Sequence, residues 1–402
     1  MRELKLTNGI NVCIKTNKNT PRIAFSMNFS IPESEKIAGE YLLMNRLLVK
    51  GTQKYSSEEL SNILDENAIE LTTEMKYDYL RFRFVALNED FELALSILTD
   101  MILNSTFEEF EKEREKFKGE IIAELDSAKV KVSDLFTKTI YKNHFYGHSY
   151  TEILKEVNKI SLEDVKTAYS KILENSLKTL AIVGDIDNLQ VENLLNKYLG
   201  EIPTSKNIES SIQKPNAIKK EYAEILKNDA QQAQILQGWL VPAIGSEDYP
   251  KIMLLNVILG ASGLSSRLFL ELREKKGLAY TVRSSYENHL KGAVFSIYIG
   301  TEPSNIQTSI DGFKEEIEKI KNILVSEEEL NNAKNNIIGK QQFITETNAQ
   351  QANLMSYYAI SGKPFDYQKT VIEALRNITS EELKECANKY FTEDFVLAVL
   401  KP

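Results

Sequence analysis

An internal duplication constrains the fold of this chain more than any other feature of its sequence. Three segments of the first half recur in the second half in the same order: 160–166 at 378–384, 180–183 at 397–400, and 31–32 at 241–242. The offsets between the copies lie between 210 and 218 residues. Matches that keep their order at nearly one offset indicate duplication rather than chance. The sequence therefore predicts two domains built on one plan.

Each copy mixes strand-like and helical patterns. Segment 23–31 alternates apolar residues with small or polar ones, which is typical of a strand. Helices are predicted at about 34–50 and at about 107–126, the second of them long and charged. We therefore predict an α+β fold with two tandem homologous domains. Each domain is expected to be a mostly antiparallel sheet covered by helices on one face.

The predicted domain boundary lies in a polar segment near the middle of the chain. Segment 203–220 contains two prolines and shows no helical or strand periodicity, so it is interpreted as a linker. The N-terminal domain is then predicted at 1–202 and the C-terminal domain at 221–402.

Composition excludes several classes of protein. A net charge of −9 disfavours a nucleic-acid-binding protein, which normally carries a basic excess. The two cysteines, Cys13 and Cys386, form no CxxC pair and are predicted to be free thiols. No apolar run approaches the roughly 18 residues of a membrane helix. Charged and apolar residues alternate from the first residue, unlike a signal peptide, so we expect a cytoplasmic protein, or a periplasmic one if a signal peptide has been removed.

The segment 39–52 reads GEYLLMNRLLVKGT. It resembles the signature helix of the pitrilysin and mitochondrial-processing-peptidase family of zinc peptidases. In that family a glycine precedes an HxxEH motif and a Lys-Gly-Thr turn ends the helix. Gly39 and the turn at 50–52 keep the family's spacing, and the positions of the two histidines and the glutamate fall on Leu42, Asn45 and Arg46.

These three replacements remove the chemistry of the motif. In HxxEH, two histidines four residues apart hold one zinc ion, and the glutamate accepts a proton from the zinc-bound water. Leu42 has no lone pair to offer, and the Asn45 amide cannot act as a base near neutral pH. The Arg46 guanidinium is always cationic and repels a dication. We therefore expect no catalytic zinc in this chain, and an ordinary core role for Leu42.

Two glutamates of the long charged helix are further candidates. Glu113 and Glu120 are seven residues apart, close to two helical turns, so their carboxylates share one face. The resemblance implies that Glu120 stands at the third zinc-ligand position and Glu113 at a second family glutamate. One carboxylate cannot hold catalytic zinc, which normally needs three protein ligands. Two interpretations stay open: solvated surface charges, or the remnant of a metal site, in particular an ion pair from Arg46 to Glu120.

A pair of histidines four residues apart does not predict a second metal site. Between His144 and His148 stand Phe, Tyr and Gly, which form a poor helix and leave no glutamate at the general-base position. The resemblance likewise implies a histidine-containing loop without a catalytic role.

Segment 263–280 predicts a helix that ends at Gly277 and is followed by an extended segment. Its apolar stripe consists of Leu264, Leu268 and Leu272. The segment resembles the family's C-terminal signature, in which an arginine and a tyrosine seven residues apart bind the substrate backbone and help to polarise the scissile carbonyl. Arg273 and Tyr280 stand at those positions. From the residues alone, Arg273 could instead complement the helix C-terminus, and Tyr280 could pack at the start of a strand.

The resemblance implies a helper role. Members of the family close around a chamber, so a chain without the zinc site resembles the non-catalytic subunit of an endopeptidase. It would lend Arg273 and Tyr280 in trans to a homologous, HxxEH-bearing subunit that carries the zinc. Peptides or unfolded protein segments would bind in extended form at a sheet edge. The alternatives are a non-catalytic peptide-binding or scaffold protein, which could be a homodimer, and a peptidase with unrecognised metal ligands.

Overall fold

The first sheet is built mainly of antiparallel strands. In the computed structural model, which describes residues 1–186, 188–206 and 208–402, its strands lie in the order β1-β2-β6-β3-β5-β4. Their bounds are β1 Arg2–Lys5, β2 Asn11–Thr16, β3 Arg22–Ser30, β4 Glu70–Met75, β5 Tyr79–Leu87 and β6 Lys178–Gly184. Strands β2 and β6 pair in parallel, and the other neighbours pair antiparallel.

The second sheet repeats this plan, with strand order β7-β11-β8-β10-β9. Its strands are β7 Glu221–Leu226, β8 Ala233–Val241, β9 Ala279–Asn288, β10 Ala293–Thr301 and β11 Val396–Lys401. Strands β7 and β11 pair in parallel, as β2 and β6 do in the first sheet. The predicted fold class and the repeated architecture are therefore confirmed.

Helices surround both sheets. The helices of the first half are α1 Glu40–Leu47, α2 Ser57–Glu66, α3 Phe91–Asn104, α4 Phe110–Glu124, α5 Ala128–Ile140, α6 Tyr150–Glu156, α7 Leu162–Asn175 and α8 Asn188–Leu199. Those of the second half are α9 Tyr249–Asn256, α10 Ile306–Asn322, α11 Glu327–Phe343, α12 Asn348–Ile360, α13 Gln368–Asn377 and α14 Ser380–Tyr390. Two segments, Val257–Ala261 and Phe269–Lys275, are π-helical.

Two helices pack on the sheet of the opposite half. Helix α12 packs on β3 and β6 of the first sheet, and α5 packs on β8 and β11 of the second. The described residues accordingly form two compact units, 1–120 with 153–212 and 343–367, and 121–152 with 213–342 and 368–402. The predicted boundaries at 202 and 221 stay predictions, and residue 207 of the predicted linker lies outside the described residues.

The exchange of helices explains a difference from the predicted pattern of β3. Phe25 stacks on Phe84 at a ring distance of 4.8 Å and faces the helices of its own half. Ala24 and Ser26, on the opposite face, are buried as well, because α12 covers them: the hydroxyl oxygens of Ser26 and Ser356 are 2.9 Å apart. The strand is therefore buried on both faces, whereas alternation alone predicts burial on one.

Candidate functional site

Helix α1 starts later than the sequence predicts. It begins at Glu40 rather than near residue 34, because Gly39 has a φ of 92°, in the left-handed region that glycine tolerates best. A Cβ atom at Gly39 would also lie 2.7 Å from Cγ2 of Ile153. The glycine of the signature is therefore required by the backbone and by packing.

The turn after α1 is also structural. Gly51 has a φ of 116°, and the Thr52 hydroxyl accepts hydrogen bonds from the backbone N–H groups of Lys54 and Tyr55, at 3.2 and 3.0 Å. Glycine and threonine at these positions thus fix the turn. Both ends of the signature thus keep their structural residues. The assignment of Leu42, Asn45 and Arg46 to the ligand and base positions of the family's helix stays a prediction.

Leu42 and Asn45 offer no catalytic chemistry. Leu42 is half-buried, so the prediction of an ordinary core residue is wrong for its burial. The Asn45 backbone carbonyl accepts a hydrogen bond of 3.4 Å from the Thr73 hydroxyl. The side-chain Oδ1 of Asn45 is buried and has no hydrogen-bond partner within the described residues.

Arg46 occupies the centre of the site. Its Nη1 and Nη2 atoms donate to the two carboxylate oxygens of Glu120, at 2.8 and 3.1 Å. Nη2 also lies 3.2 Å from a carboxylate oxygen of Glu113. The guanidinium carbon is 5.5 Å from the centre of the Phe117 ring, which is a cation–π distance. The predicted ion pair from Arg46 to Glu120 is therefore confirmed.

Glu113 is a buried carboxylate, with 3% of its surface exposed. Burial alone would raise its pKa. The hydrogen bond and charge of Lys50, whose Nζ is 2.9 Å away, and the charge of Arg46 outweigh burial and lower the pKa of Glu113. The solvated-charge interpretation is thus wrong for Glu113, whereas the Glu120 side chain is 49% exposed. Sequence reasoning missed Lys50, although it follows Arg46 by four residues.

The donor set does not fit a zinc ion. The two carboxylates are balanced by two cations, Arg46 and Lys50. Both oxygens of Glu120 already accept hydrogen bonds from Arg46, and a dication here would meet a guanidinium. Across the described residues, no group of three or more His, Cys, Asp or Glu side chains is arranged to hold a metal ion.

Both ring nitrogens of His144 form hydrogen bonds with backbone groups. Its Nδ1 accepts a hydrogen bond from the Tyr146 N–H at 3.1 Å, so Nε2 carries the proton and donates to the Gln213 carbonyl at 2.9 Å. The ring of His148 packs against Phe145 at 5.5 Å. The two histidines thus flank a short 3₁₀ segment, Phe145–Gly147, and do not lie on one helical face.

Arg273 and Tyr280 lie side by side. The Arg273 guanidinium contacts two rings, 4.7 Å from the centre of Phe269 and 5.1 Å from that of Tyr280, and its Nε lies 3.8 Å from Oε1 of Glu274. Tyr280 is 79% exposed near the start of β9, an edge strand of the second sheet. Arg273 belongs to the π-helical segment, a conformation found often at functional sites. Leu264 is 73% exposed, so the predicted apolar stripe is wrong at its first position.

An edge strand lies beside the degenerate site. Strand β4 forms one edge of the first sheet and contacts α1, where Thr73 bonds to the Asn45 carbonyl. Sequence reasoning missed this strand, whose only signal is the weak alternation of segment 70–75.

Two family models cover adjacent parts of the chain. Residues 19–176 match the model described as insulinase, peptidase family M16, and residues 159–337 match the one described as the peptidase M16 inactive domain. The chain belongs to peptidase family M16. The predicted resemblance is confirmed, and this M16 chain is catalytically incomplete, since its HxxEH positions hold other residues.

Its M16 relatives carry different descriptions. A Bacillus subtilis protein described as the uncharacterised zinc protease YmxG is 26% identical over 404 residues, covering 98% of this chain and 97% of its own length. A Helicobacter pylori protein described as the non-peptidase homolog YmxG is 24% identical, covering 90% and 84%.

Solved structures share the M16 fold. The crystal structure of a protease from Helicobacter pylori superposes with a TM-score of 0.91 at 21% identity, covering 100% of this chain and 99% of its own. The peptidase M16 inactive domain from Pseudomonas fluorescens gives 0.89 at 20% identity, covering 100% and 97%. None of the helices in the described part of the chain is both long and apolar enough to cross a membrane.

Proposed function

We propose that this chain is the non-catalytic subunit of a zinc endopeptidase. It binds extended peptides and lends Arg273 and Tyr280 in trans to a homologous subunit that carries HxxEH and zinc. One observation carries the proposal: Arg46 ties together Glu113 and Glu120, at the positions where the family builds its metal site. A chain with this ion cluster needs a partner to cut a peptide bond.

The second signature supports a role toward substrate. The Arg273 guanidinium contacts the rings of Phe269 and Tyr280, and its N–H groups remain able to donate to peptide carbonyls. The exposed Tyr280 phenol can donate to an oxygen on which negative charge develops. Both groups favour a carbonyl that is being attacked, and neither supplies a nucleophile.

Peptide binding is proposed along β4. This strand pairs with β5 on one side, and no other described strand pairs with it on the second side. An extended peptide can therefore add to β4 through backbone hydrogen bonds. Since β4 contacts α1, the added strand would run beside the degenerate site.

The alternative is a non-catalytic peptide-binding or scaffold protein, with a homodimer as its simplest form. The description of the Helicobacter pylori relative as a non-peptidase homolog favours this candidate. The two candidates share peptide binding and differ in whether a zinc-bearing partner exists.

Co-purification from the native cell separates them. The tagged chain is captured at native abundance, and its partners are identified by mass. The helper role predicts a stoichiometric M16 partner with HxxEH, and peptide cleavage only when the two chains are mixed. Recovery of the chain alone or as a homodimer, with no cleavage after addition of any HxxEH-bearing M16 chain of the same cell, would refute the helper role.

A further inference from the structure

Arg83 holds an exposed guanidinium over the edge strand of the first sheet. Residue Arg83 lies in β5 directly opposite Thr72 of β4. Its Nε donates a hydrogen bond of 2.7 Å to the Thr72 hydroxyl, which draws the guanidinium away from β5 and across β4. Arg83 makes no ion pair within the described part of the chain.

Arg81, on the same face of β5, differs from Arg83 because hydrogen bonds and an ion pair satisfy its guanidinium. Arg81 is 7% exposed and donates to Asn28 Oδ1 and Glu74 Oε2, each at 3.0 Å. Glu74 is further balanced by Lys76, at 3.2 Å. The charge of Glu74 is thus paired with Arg81 and Lys76. Arg83 has no ion-pair partner among the described residues, although Glu70 lies on the same face of β4.

We propose that the peptide bound along β4 carries an acidic side chain opposite Thr72, and that Arg83 recognises it. The inference rests on the proposed function, in which β4 receives an extended peptide. Neighbouring strands are about 4.8 Å apart, and side chains alternate between the two faces. The Arg83 guanidinium already reaches the Thr72 hydroxyl, so its Nη groups lie one strand spacing from the side chains of an added strand on this face.

The overall charge of the chain cannot produce the same preference. With a net charge of −9, the chain as a whole repels acidic peptides and attracts basic ones. A preference for glutamate over glutamine therefore has to come from a local cation. An exposed ion pair of this kind strengthens binding by about two- to fivefold.

Three labelled nine-residue peptides test the proposal by fluorescence anisotropy with the full chain. They alternate valine with glutamate, glutamine or lysine. We expect the glutamate peptide to bind about two- to fivefold tighter than the glutamine peptide at low salt. The ratio of the affinity for the glutamate peptide to that for the glutamine peptide should fall at high salt. The reason is that the screening length shortens from about 10 Å at 0.1 M to about 3 Å at 1 M.

Two variants locate the source of the preference. Arg83→Gln should bring the ratio to one, whereas Arg22→Gln should leave it unchanged. Arg22 is also exposed and lies in the same sheet, so its variant loses the same charge away from the edge. Thermal unfolding checks that both variants fold.

The outcomes distinguish recognition of an acidic side chain by Arg83 from peptide binding along β4. Equal binding of the glutamate and glutamine peptides, or a preference that survives in Arg83→Gln, would overturn the inference and leave peptide binding intact. Failure of all three peptides to bind would overturn peptide binding and the inference together. If the chain alone dimerises, and Arg83→Gln abolishes the dimer, the occupant of β4 is a second copy and the proposal is wrong.

Discussion

Arg46 donates to both carboxylate oxygens of Glu120, at 2.8 and 3.1 Å, across the gap between α1 and α4. The same guanidinium reaches Glu113, and Lys50 completes the cluster. The Arg46 guanidinium therefore binds the carboxylates that a metal ion at this site would need.

The purified chain should bind no zinc at this site. Leu42 and Arg46 provide no lone pair, and Glu120 is committed to Arg46. Elemental analysis after mild dialysis should show well under one zinc ion per chain. One equivalent of zinc that is lost on Arg46→Ala or Glu120→Gln would contradict the prediction.

Restoring the motif should restore zinc binding more readily than peptidase activity. The triple variant Leu42→His, Asn45→Glu, Arg46→His frees Glu120 as a third ligand, and catalytic zinc needs three protein ligands. Activity also requires partners that orient each imidazole, and the chain has no reason to have kept them. Zinc titration by calorimetry measures the gain, with the same variant carrying Glu120→Gln as the control. A folded triple variant that binds no zinc at micromolar concentration would show that the helix is misaligned with the family.

Removing Arg46 should destabilise the chain by about 1–3 kcal/mol, the cost of leaving a buried charged group without one of its partners. Arg46→Met keeps most of the side-chain volume but leaves the buried Glu113 with Lys50 alone. Lys112→Met is the control, because Lys112 is 70% exposed in its pair with Glu109, and it should change the free energy of unfolding by less than about 0.5 kcal/mol. Urea unfolding at pH 7 compares the two, and equal effects would mean that the cluster is no stronger than a surface pair.

The stability of the chain should depend on pH through Glu113. Its pKa in the folded chain is lowered from the ordinary value of 4.5, because Lys50 and Arg46 outweigh the effect of burial. Below 4.5 the unfolded chain therefore binds a proton that the folded chain does not, and stability falls as the pH falls toward the folded pKa. Above that window the contribution of Glu113 is complete. Glu113→Gln should flatten this part of the urea-unfolding profile between pH 5 and pH 3, and an unchanged slope would remove Glu113 as the cause.

Arg273 and Tyr280 should affect turnover and not assembly. In an active complex with a zinc-bearing partner, Arg273→Ala removes donors to the peptide backbone and Tyr280→Phe removes the phenol donor. Loss of one preorganised donor of this kind lowers kcat by about 10²–10³. Dimer formation, followed by sizing, should be unchanged. Full activity of both variants would show that the pair is structural, and the trans-complementation proposal would lose its main support.

The sequence predicted the repeated plan and the signature frame, because matching segments and residue spacings can be read directly from it. It left the ion pair from Arg46 to Glu120 as one of two interpretations. Gly39 and Gly51 mark the ends of α1. The carboxylates that pair with Arg46 lie on α4, and the resemblance placed Glu120 there as a candidate partner. The start of α1 was placed too early, since Gly39 adopts a left-handed conformation that no periodicity reports. The stripe at Leu264 failed for a related reason: the residue lies in a 3₁₀ turn before the helix.

Other features depend on contacts that no local pattern encodes. Amphipathic periodicity shows that α5 and α12 have a face to bury, but it does not say which sheet receives each helix. The placement of β4 at an edge, and of the Arg83 guanidinium over Thr72, likewise follows from strand order, which the sequence of segment 70–75 does not reveal.

The exchange of α5 and α12 bears on how this protein is made. During synthesis, α12 cannot pack on the first sheet until residue 360 has left the ribosome. Ala24, Ala181 and Val183 therefore stay exposed to solvent while most of the second half is translated. A gene cut at the linker would give two polypeptides, each lacking a helix that the other retains. Either repeat on its own would therefore leave one face of its sheet without the helix that covers it in the intact chain.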